Sequence, residues 1–572
     1  MYCRAIACDF DGTGATDGRF APEAAGALDE AKRNGIATIL ATGRVLEELR
    51  ASDVDFSIFD AVVAENGAIL WLPASGRLLQ LGDSPPEHLL GALRSRGIPF
   101  QAGTVVIGTW TRHLPQVIDL IVESGEDLQP VLNRGALMVL PSQVNKGTGV
   151  ARALEELRRS EHNLVAFGDA ENDYPLFRLA EVAVAARGSV PGIEAIADDR
   201  LTLSGGAGVA RWIMDLLQRD CNVPTPDRQR LLIGRDDAGL PVDLPTSGVN
   251  VLLSGDPRVG KSWLAGLVIE RLIERGYHLC IFDPEGDYTD VDMSPRTLRL
   301  GDDLLLPSPS ALPRLFDSGL SIVLELSALP HRDKVAYLES ALAQMEKQRA
   351  VTGLPHWTVI DEAHYFFCKG TPCTDKLHDA TGNVLLVTYR PSWIVEEVHR
   401  EIDVHLLTRT TIDDERYFAT SLLQTSGPRD LAASEALAAL DEHRAGLLQP
   451  SPRPLWQVFT PEERVTTHVH HGRRYLDAKL ADAQAFHFWY VDGGTPKVAY
   501  NVKDFHAAIR SAPATSLRHH LTSGDFSRWA ADALGDEQLA HALRRLEHAA
   551  GAGGAPAREE ILALLEDRYE LH

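Results

Sequence analysis

The sequence predicts a multidomain α/β protein: a Rossmann-like core with an inserted α/β cap, then a P-loop parallel sheet, then a small α+β domain. Three observations carry this reading. Strand-length apolar runs alternate with amphipathic helices twice along the chain. An acidic turn, Asp9-Phe10-Asp11-Gly12-Thr13, follows the first run, and a glycine-bearing loop, Gly255 to Ser262, follows a later one. With 572 residues, the chain exceeds one hydrophobic core; at roughly 100–200 residues per domain it holds three or four.

The first block spans 1–217. Its strands Ala5–Asp9, Ala37–Ala41 and Leu164–Asp169 alternate with helices such as Ala21–Asn34, the pattern of a doubly wound parallel sheet. A polar, Pro-containing stretch, 218–228, reads as a linker. The second block, 229–448, repeats the alternation with different motifs. A linker at 449–464 contains Pro450-Ser451-Pro452-Arg453-Pro454. The third block, 465–572, reads as a small interaction domain. Phe486-His487-Phe488-Trp489-Tyr490 and Val498-Ala499-Tyr500 predict a β-hairpin, with helices after it.

The formal charge of −24 opposes unselective binding to nucleic acid or anionic lipid, so DNA is a disfavoured partner. No run is long enough for a membrane span, and the start lacks the apolar stretch of a signal peptide, so a cytoplasmic location is expected. The six cysteines are scattered and read as reduced thiols. Cys368 and Cys373 have no second pair near them to complete a metal site, and His468, His470 and His471 read as a polar helix surface.

Asp9 and Asp11 fall at the carboxyl end of a strand, where doubly wound sheets place ligand sites. Two acids that close repel each other unless a cation intervenes, so Mg²⁺ is implied. Three further pieces follow in order: Thr42-Gly43-Arg44 after a strand, Lys146 opening a helix, and Gly168-Asp169-Ala170-Glu171-Asn172-Asp173 after another strand. This set resembles the haloacid dehalogenase superfamily of phosphatases over roughly the first 215 residues. The resemblance implies that Asp9 forms an aspartyl-phosphate and that Asp11 is general acid and base. Thr42 and Lys146 would hold the phosphoryl group. Asp9, the Asp11 carbonyl and Asp169 would ligate Mg²⁺, with Asp173 orienting that site.

About thirty residues separate Asp9 from Thr42, too few for a folded cap, whereas about one hundred separate Thr42 from Lys146. Glu65-Asn66-Gly67-Ala68 resembles the Cof-type and sugar-phosphatase branch, which implies a cap at about 82–140 and a small phosphorylated metabolite as substrate. Gly14 departs from that family, which usually carries a bulky apolar residue there.

In the second block, strand Asn250–Ser254 feeds Gly255, Asp256, Pro257, Arg258, Val259, Gly260, Lys261 and Ser262, and an apolar helix follows. Backbone N–H groups and the helix N-terminus suit phosphates there, Lys261 suits the β/γ-phosphates, and Ser262 suits Mg²⁺. Trp357-Thr358-Val359-Ile360 ends in Asp361 and Glu362, placed to hold Mg²⁺ through water and to polarise the attacking water of ATP. Leu232-Ile233-Gly234-Arg235-Asp236, Phe282–Tyr288 and Leu386–Pro391 resemble the HerA/FtsK branch of ring-forming ATPases. The resemblance implies a homo-oligomer, such as a hexamer, with Arg409 or Arg416 as arginine-finger candidates. Tyr389 stands where that branch usually has Gln, and Trp263 is bulkier than expected after Ser262.

The leading expectation is a bifunctional protein, a Mg²⁺-dependent phosphomonoester hydrolase coupled to an oligomeric ATPase. Two alternatives stand beside it: a DNA-translocating motor with an accessory phosphatase, and a nucleotide-gated scaffold with little ATP turnover.

Overall fold

The computed structural model describes residues 1–16, 18–256, 259–288, 296–301, 306–374, 383–426, 437, 440–441, 443–449, 455–464, 480, 485–489, 497–534, 537–551 and 558–569. Pro257, Arg258, the Pro450–Pro454 run, His468, His470, His471 and Tyr490 lie outside them. The chain divides into two compact units, Met1–Glu285 with Ser294–Glu463, and Gly286–Met293 with Arg464–His572.

In the first unit, β1 (Ala5–Asp9), β2 (Ala37–Ala41) and β3 (Ala61–Ala64) are apolar and buried on both faces, as a sheet covered by helices requires. Helix α1 (Pro22–Arg33) turns Ala24, Ala27, Leu28 and Ala31 inward at helical spacing. Beyond β3 come β4 (Ile69–Leu72) and β5 (Arg77–Gln80), which pair antiparallel. The cap follows. Helices α2 (Glu87–Ser95) and α3 (Leu114–Ser124) lie with strands β6 (Gln101–Ala102), β7 (Ile107–Trp110), β8 (Leu128–Asn133) and β9 (Ala136–Pro141), in sheet order β8-β9-β7-β6. The chain then returns through α4 (Lys146–Leu157), β10 (Leu164–Gly168), β11 (Val182–Ala185), β12 (Asp199–Arg200) and α5 (Gly205–Leu217). The resulting eight-stranded order is β12-β11-β10-β1-β2-β3-β4-β5.

The second sheet is larger than the parallel one the sequence predicts. Its parallel part comprises β15 (Asn250–Ser254), β16 (Leu279–Asp283), β17 (Thr297–Leu300), β18 (Ser321–Glu325), β19 (Trp357–Ile360), β20 (Val384–Thr388) and β21 (Val404–Leu407). Two antiparallel pairs extend it: β13 (Arg230–Arg235) with β14 (Pro241–Pro245), and β22 (Ala445–Gln449) with β23 (Leu455–Pro461). The full order is β14-β13-β23-β22-β21-β15-β20-β19-β16-β18-β17. Residues 455–461, read from sequence as part of a linker, are thus a sheet strand. Helices α6 (Lys261–Glu274), α7 (His331–Thr352) and α8 (Asp413–Ser426) belong to this block.

The two parallel sheets meet at the ends where their strands begin. Glu181, just before β11, is fully buried and accepts a 2.7 Å hydrogen bond from the Tyr277 hydroxyl, two residues before β16. His162, just before β10, faces Glu181 at 3.0 Å and stacks on Tyr277 with centroids 3.9 Å apart. Ser160 meets His356, the residue before β19, at 2.8 Å. Asp169 follows β10 and Asp361 follows β19, each at the end of its strand opposite the seam.

Burial holds His278 down to about 4 and His356 well below the usual value, with His162 adding to both. A depressed folded-state value means the unfolded chain takes up the proton first, so stability is full above ~6.5 and declines as pH falls toward about 4. Denaturation midpoints at about pH 7.5 and about pH 5 check this; equal midpoints would contradict it. At the same seam, Tyr277→Phe removes a donor from a buried carboxylate and is expected to lower stability by ~1.5–3 kcal/mol, read as a shifted midpoint at unchanged slope.

The second unit has its own core. Strands β24 (Phe486–His487) and β25 (Val498–Ala499) pair as the sequence predicts. Around them lie α9 (Val502–Ser511), α10 (Ala514–Ser523), α11 (Asp525–Asp532), α12 (Glu537–Gly551) and α13 (Arg558–Tyr569). Phe486, Phe488, Phe505 and Phe526 are buried in one cluster, and Phe505 stacks on Trp529 at 4.5 Å.

Candidate active sites

Asp9 ends β1, Thr42 follows β2, and Asp169 follows β10, so adjacent parallel strands converge three motifs at one sheet edge. Lys146 opens α4, whose N-cap Asn145 and Thr148 bond reciprocally and fix where the helix starts. Its ammonium donates to Asp9 and, at 2.5 Å, to Asp173. Asp173 also accepts from the Asp169 and Ala170 N–H groups at 2.9 and 3.0 Å. Carboxylate oxygens of Asp9, Asp169 and Asp173 lie within 4.8 Å of one another, all buried, an all-oxygen donor set that fits a hard divalent cation.

Burial pushes the Asp9 carboxyl well above the usual range; Lys146 opposes this, while Asp173 and Asp169 add to it. Burial also works against the Lys146 ammonium, but Asp173 and Asp9 outweigh it and its value ends raised. Gly12 has φ +80°, and a Cβ there would lie 2.4 Å from Asp169 Oδ2, so the acidic turn needs glycine on both counts. At Gly14 a Cβ would meet the Phe20 ring at 2.5 Å. Phe20 therefore fills the space that a bulky residue at position 14 would take.

Asp11 is half-exposed and is held by Arg44, with Nε donating to Oδ2 at 2.8 Å and Nη2 to Oδ1 at 2.6 Å. Arg134, at the tip of the cap hairpin between β8 and β9, donates to Asp169 through Nε at 3.0 Å. Glu65 is fully buried, and its carboxylate accepts from the N–H groups of Thr104, Val105 and Val106 at 3.0, 2.8 and 3.0 Å. That bond set ties the cap loop to the core. Beside it, Gly67 has φ +107°, and a Cβ there would lie 1.9 Å from the Asn145 carbonyl, so this turn packs directly on the start of the Lys146 helix. Glu65→Ala leaves the buried N–H groups of Val105 and Val106, and the part-buried N–H of Thr104, without their acceptor. It is expected to lower stability by roughly 3 kcal/mol or more and to expose the cap to protease; an unchanged melting point would contradict this.

The phosphate-type loop has the expected position: β15 ends at Ser254 and α6 begins at Lys261, with Ser262 in its first turn. The Lys261 ammonium donates to the Asp256 carbonyl at 2.7 Å; burial lowers its value against the pull of Glu362, Asp361 and Asp256. The Asp256 carboxylate accepts from the Thr411 N–H and hydroxyl at 2.7 and 2.5 Å, tying the loop to the segment after β21. In that segment the Arg409 carbonyl accepts from the Asp256 N–H at 2.9 Å. Arg416 pairs with Asp413 at 2.7 Å, a surface i,i+3 pair. Strand order β15-β20-β19 sets the Thr388–Arg390 segment between the loop and Asp361–Glu362. Glu362 has φ +45°. The His364 ring lies 4.8 Å from Tyr389, and its Nδ1 meets Thr388 Oγ1 at 3.0 Å; burial holds His364 down to about 4.

His519, His520 and Asp525 also converge in the second unit. His520 accepts from the Trp489 N–H at Nε2 (2.9 Å) and faces Asp525 through Nδ1 (2.8 Å), so neither nitrogen is left for a metal. All six cysteines are free thiols. Among the described residues no helix is long and apolar enough to cross a membrane.

Comparison with known proteins agrees with this geometry. The haloacid dehalogenase-like hydrolase family matches residues 6–89 and 131–213. A phosphoglycolate phosphatase of Methanothermobacter thermautotrophicus is 32% identical over 217 residues, covering 37% of this chain and 97% of that protein. The chain belongs to the haloacid dehalogenase-like hydrolases. A phosphoglycolate phosphatase of Sulfurisphaera tokodaii is 29% identical over 161 residues, covering 27% of this chain and 68% of that one. A solved haloacid dehalogenase-like hydrolase from B. subtilis aligns at TM-score 0.32 and 20% identity, over 37% of this chain and 99% of that one. Residues 259–353 match the central domain of helicase HerA.

Arg134 and the carboxylate role of Glu65 in this hydrolase were not assigned from sequence. Arg134 sits at a hairpin tip 35 residues from Asp169, and nothing in its neighbourhood marks that partner. The Arg44 bond to Asp11 was foreshadowed only by its place in Thr42-Gly43-Arg44.

Proposed function

We propose that the first block is a Mg²⁺-dependent phosphomonoester hydrolase acting on a small phosphorylated metabolite. The observation that carries this is the buried Asp9–Lys146–Asp173 constellation at a sheet edge, facing a cleft of about 430 Å³ under the cap. A carboxylate oxygen of Asp9 attacks phosphorus as the bond to the leaving oxygen breaks. Asp11, protonated, gives that oxygen its proton. Water then attacks the phosphoryl group, Asp11 takes up the water's proton, and the bond to Asp9 breaks to release phosphate. Lys146 and Thr42 hold the phosphoryl oxygens through both steps. Asp9, Asp169 and Asp173 would hold Mg²⁺, which neutralises charge on the transferring group. Arg44 orients Asp11 and must release it for proton transfer. The names of the relatives make phosphoglycolate the first substrate to assay.

The second block is read as an ATP site, with Lys261 and Ser262 at the phosphates and Mg²⁺, Asp361 beside the metal and Glu362 at the attacking water. A homo-oligomer is the assembly this reading favours. Tyr389, packed on His364, supports a slower variant in which nucleotide binding gates a scaffold. ATP turnover with and without DNA separates these readings: DNA stimulation supports a motor, and binding without turnover supports the gate. Solution mass with and without ATP tests assembly; a monomer in both would remove the oligomer.

A further inference from the structure

Strands β15 and β21 run parallel with Ser254 beside Leu407, and their ladder continues past both strand ends. The Thr408 N–H donates to the Ser254 carbonyl at 2.8 Å, and the Asp256 N–H donates to the Arg409 carbonyl at 2.9 Å. A Cβ on Gly255 would collide with the Thr408 hydroxyl, so glycine lets the two segments lie this close. The phosphate-type loop therefore opens directly against the segment that leads into α8.

Asp256 joins the two. Its carbonyl accepts from the Lys261 ammonium at 2.7 Å. Its carboxylate is buried and accepts from the Thr411 N–H and hydroxyl at 2.7 and 2.5 Å, and from the Ile412 N–H at 3.5 Å. The Ile412 carbonyl accepts from the Arg416 N–H at 2.8 Å, so α8 starts to wind there. An acid of the loop thus caps the entry of a helix, where unpaired N–H groups favour negative charge. The same turn is held from a second direction. Glu415 is buried and accepts from the Ser392 N–H and hydroxyl at 3.0 and 2.8 Å, with the Arg390 guanidinium 3.5 Å away. Arg390 and Ser392 follow β20, the neighbour of β15 on the side away from β21. The first turn of α8 is therefore bonded both to the loop and to the segment beyond it.

We propose that Asp256 is a positioning residue that carries nucleotide occupancy from Lys261 to Thr411, so that filling the site stiffens the first turn of α8, which presents Arg416 and the 79% exposed Tyr417. This rests on the ATP-site reading above. Phosphate takes Lys261 from the Asp256 carbonyl, because a charged acceptor outcompetes a neutral one. The loop N–H groups close on the phosphate, which fixes the Asp256 backbone and, through its carboxylate, the N–H groups of Thr411 and Ile412.

Hydrogen exchange at residues 409–416 of the full chain, with Mg²⁺ and with or without a β,γ-imido analogue of ATP, tests this. Thr411 is exposed, and among the described residues its N–H is held by the Asp256 carboxylate, so its exchange reports the bond itself. Bound analogue should slow exchange there by about fivefold or more in wild type, the scale of one hydrogen bond. Thr411→Val drops the hydroxyl's bond and keeps the N–H. It should bind the analogue within about threefold of wild type by calorimetry, yet lose about half or more of the slowing, and Thr411→Ser should restore it. Comparing each variant with itself, with and without analogue, cancels intrinsic exchange rates. Bound analogue with unchanged or faster exchange at 409–416, or full slowing in Thr411→Val, would overturn the link through Asp256 and leave the ATP site standing. Failure of wild type to bind the analogue would overturn the ATP-site reading and the link with it.

Discussion

Asp9→Asn is expected to abolish Mg²⁺-dependent phosphate release, by about 10⁴-fold or more, the scale seen when a covalent nucleophile is removed. An amide is nearly isosteric but does not attack phosphorus. It also removes one of the two carboxylates that Lys146 bonds, and Asp173 still holds the ammonium at 2.5 Å. The fold should therefore survive, with a melting point near or above that of wild type, because a buried acid pushed upward by desolvation has been neutralised. Kinetics and thermal unfolding on the same preparation separate lost chemistry from lost structure. Residual turnover within about tenfold of wild type would remove Asp9 from the nucleophile's role.

Lys261→Ala is the second large effect, expected to weaken ATP binding by about 100-fold or more through loss of a charge-assisted contact in a partly desolvated site. Among the described residues this ammonium donates to a neutral acceptor, the Asp256 carbonyl, and burial disfavours its charge. It is therefore poised to gain by meeting phosphate. The strands joining the two sites begin at a common seam and end on opposite sides, so metabolite hydrolysis by Lys261→Ala should stay within about threefold of wild type. Titration calorimetry with ATP, alongside the phosphatase assay, reads both. A phosphatase that falls with ATP binding would instead mean that the seam transmits nucleotide occupancy.

Much of the fold was legible because the central strands are buried on both faces. Ala5–Asp9, Ala37–Ala41 and Asn250–Ser254 are unbroken apolar runs whose last residues or followers carry the chemistry. The antiparallel extension was less legible. Strand β23 follows a proline-rich run, and its membership of the sheet depends on pairing with β22 and β13, which sequence periodicity does not specify. The seam was not legible at all. Glu181, Tyr277 and His356 are single residues before separate strands, and only the tertiary fold brings them together. The site residues were legible in part. Asp9, Lys146 and Asp173 were marked by motif and local context, and the structure puts them in contact. Glu65 was marked as part of a turn, but its three cap N–H partners lie some forty residues onward.

The most direct test of the central claim is to look for the phosphoryl group on Asp9. The full chain, mixed with Mg²⁺ and a turned-over phosphomonoester, is quenched in acid and digested with trypsin. The account predicts phosphate on the peptide Ala5–Arg19, present in wild type and absent from Asp9→Asn. Continued phosphate release with that peptide unmodified at every quench time would contradict it.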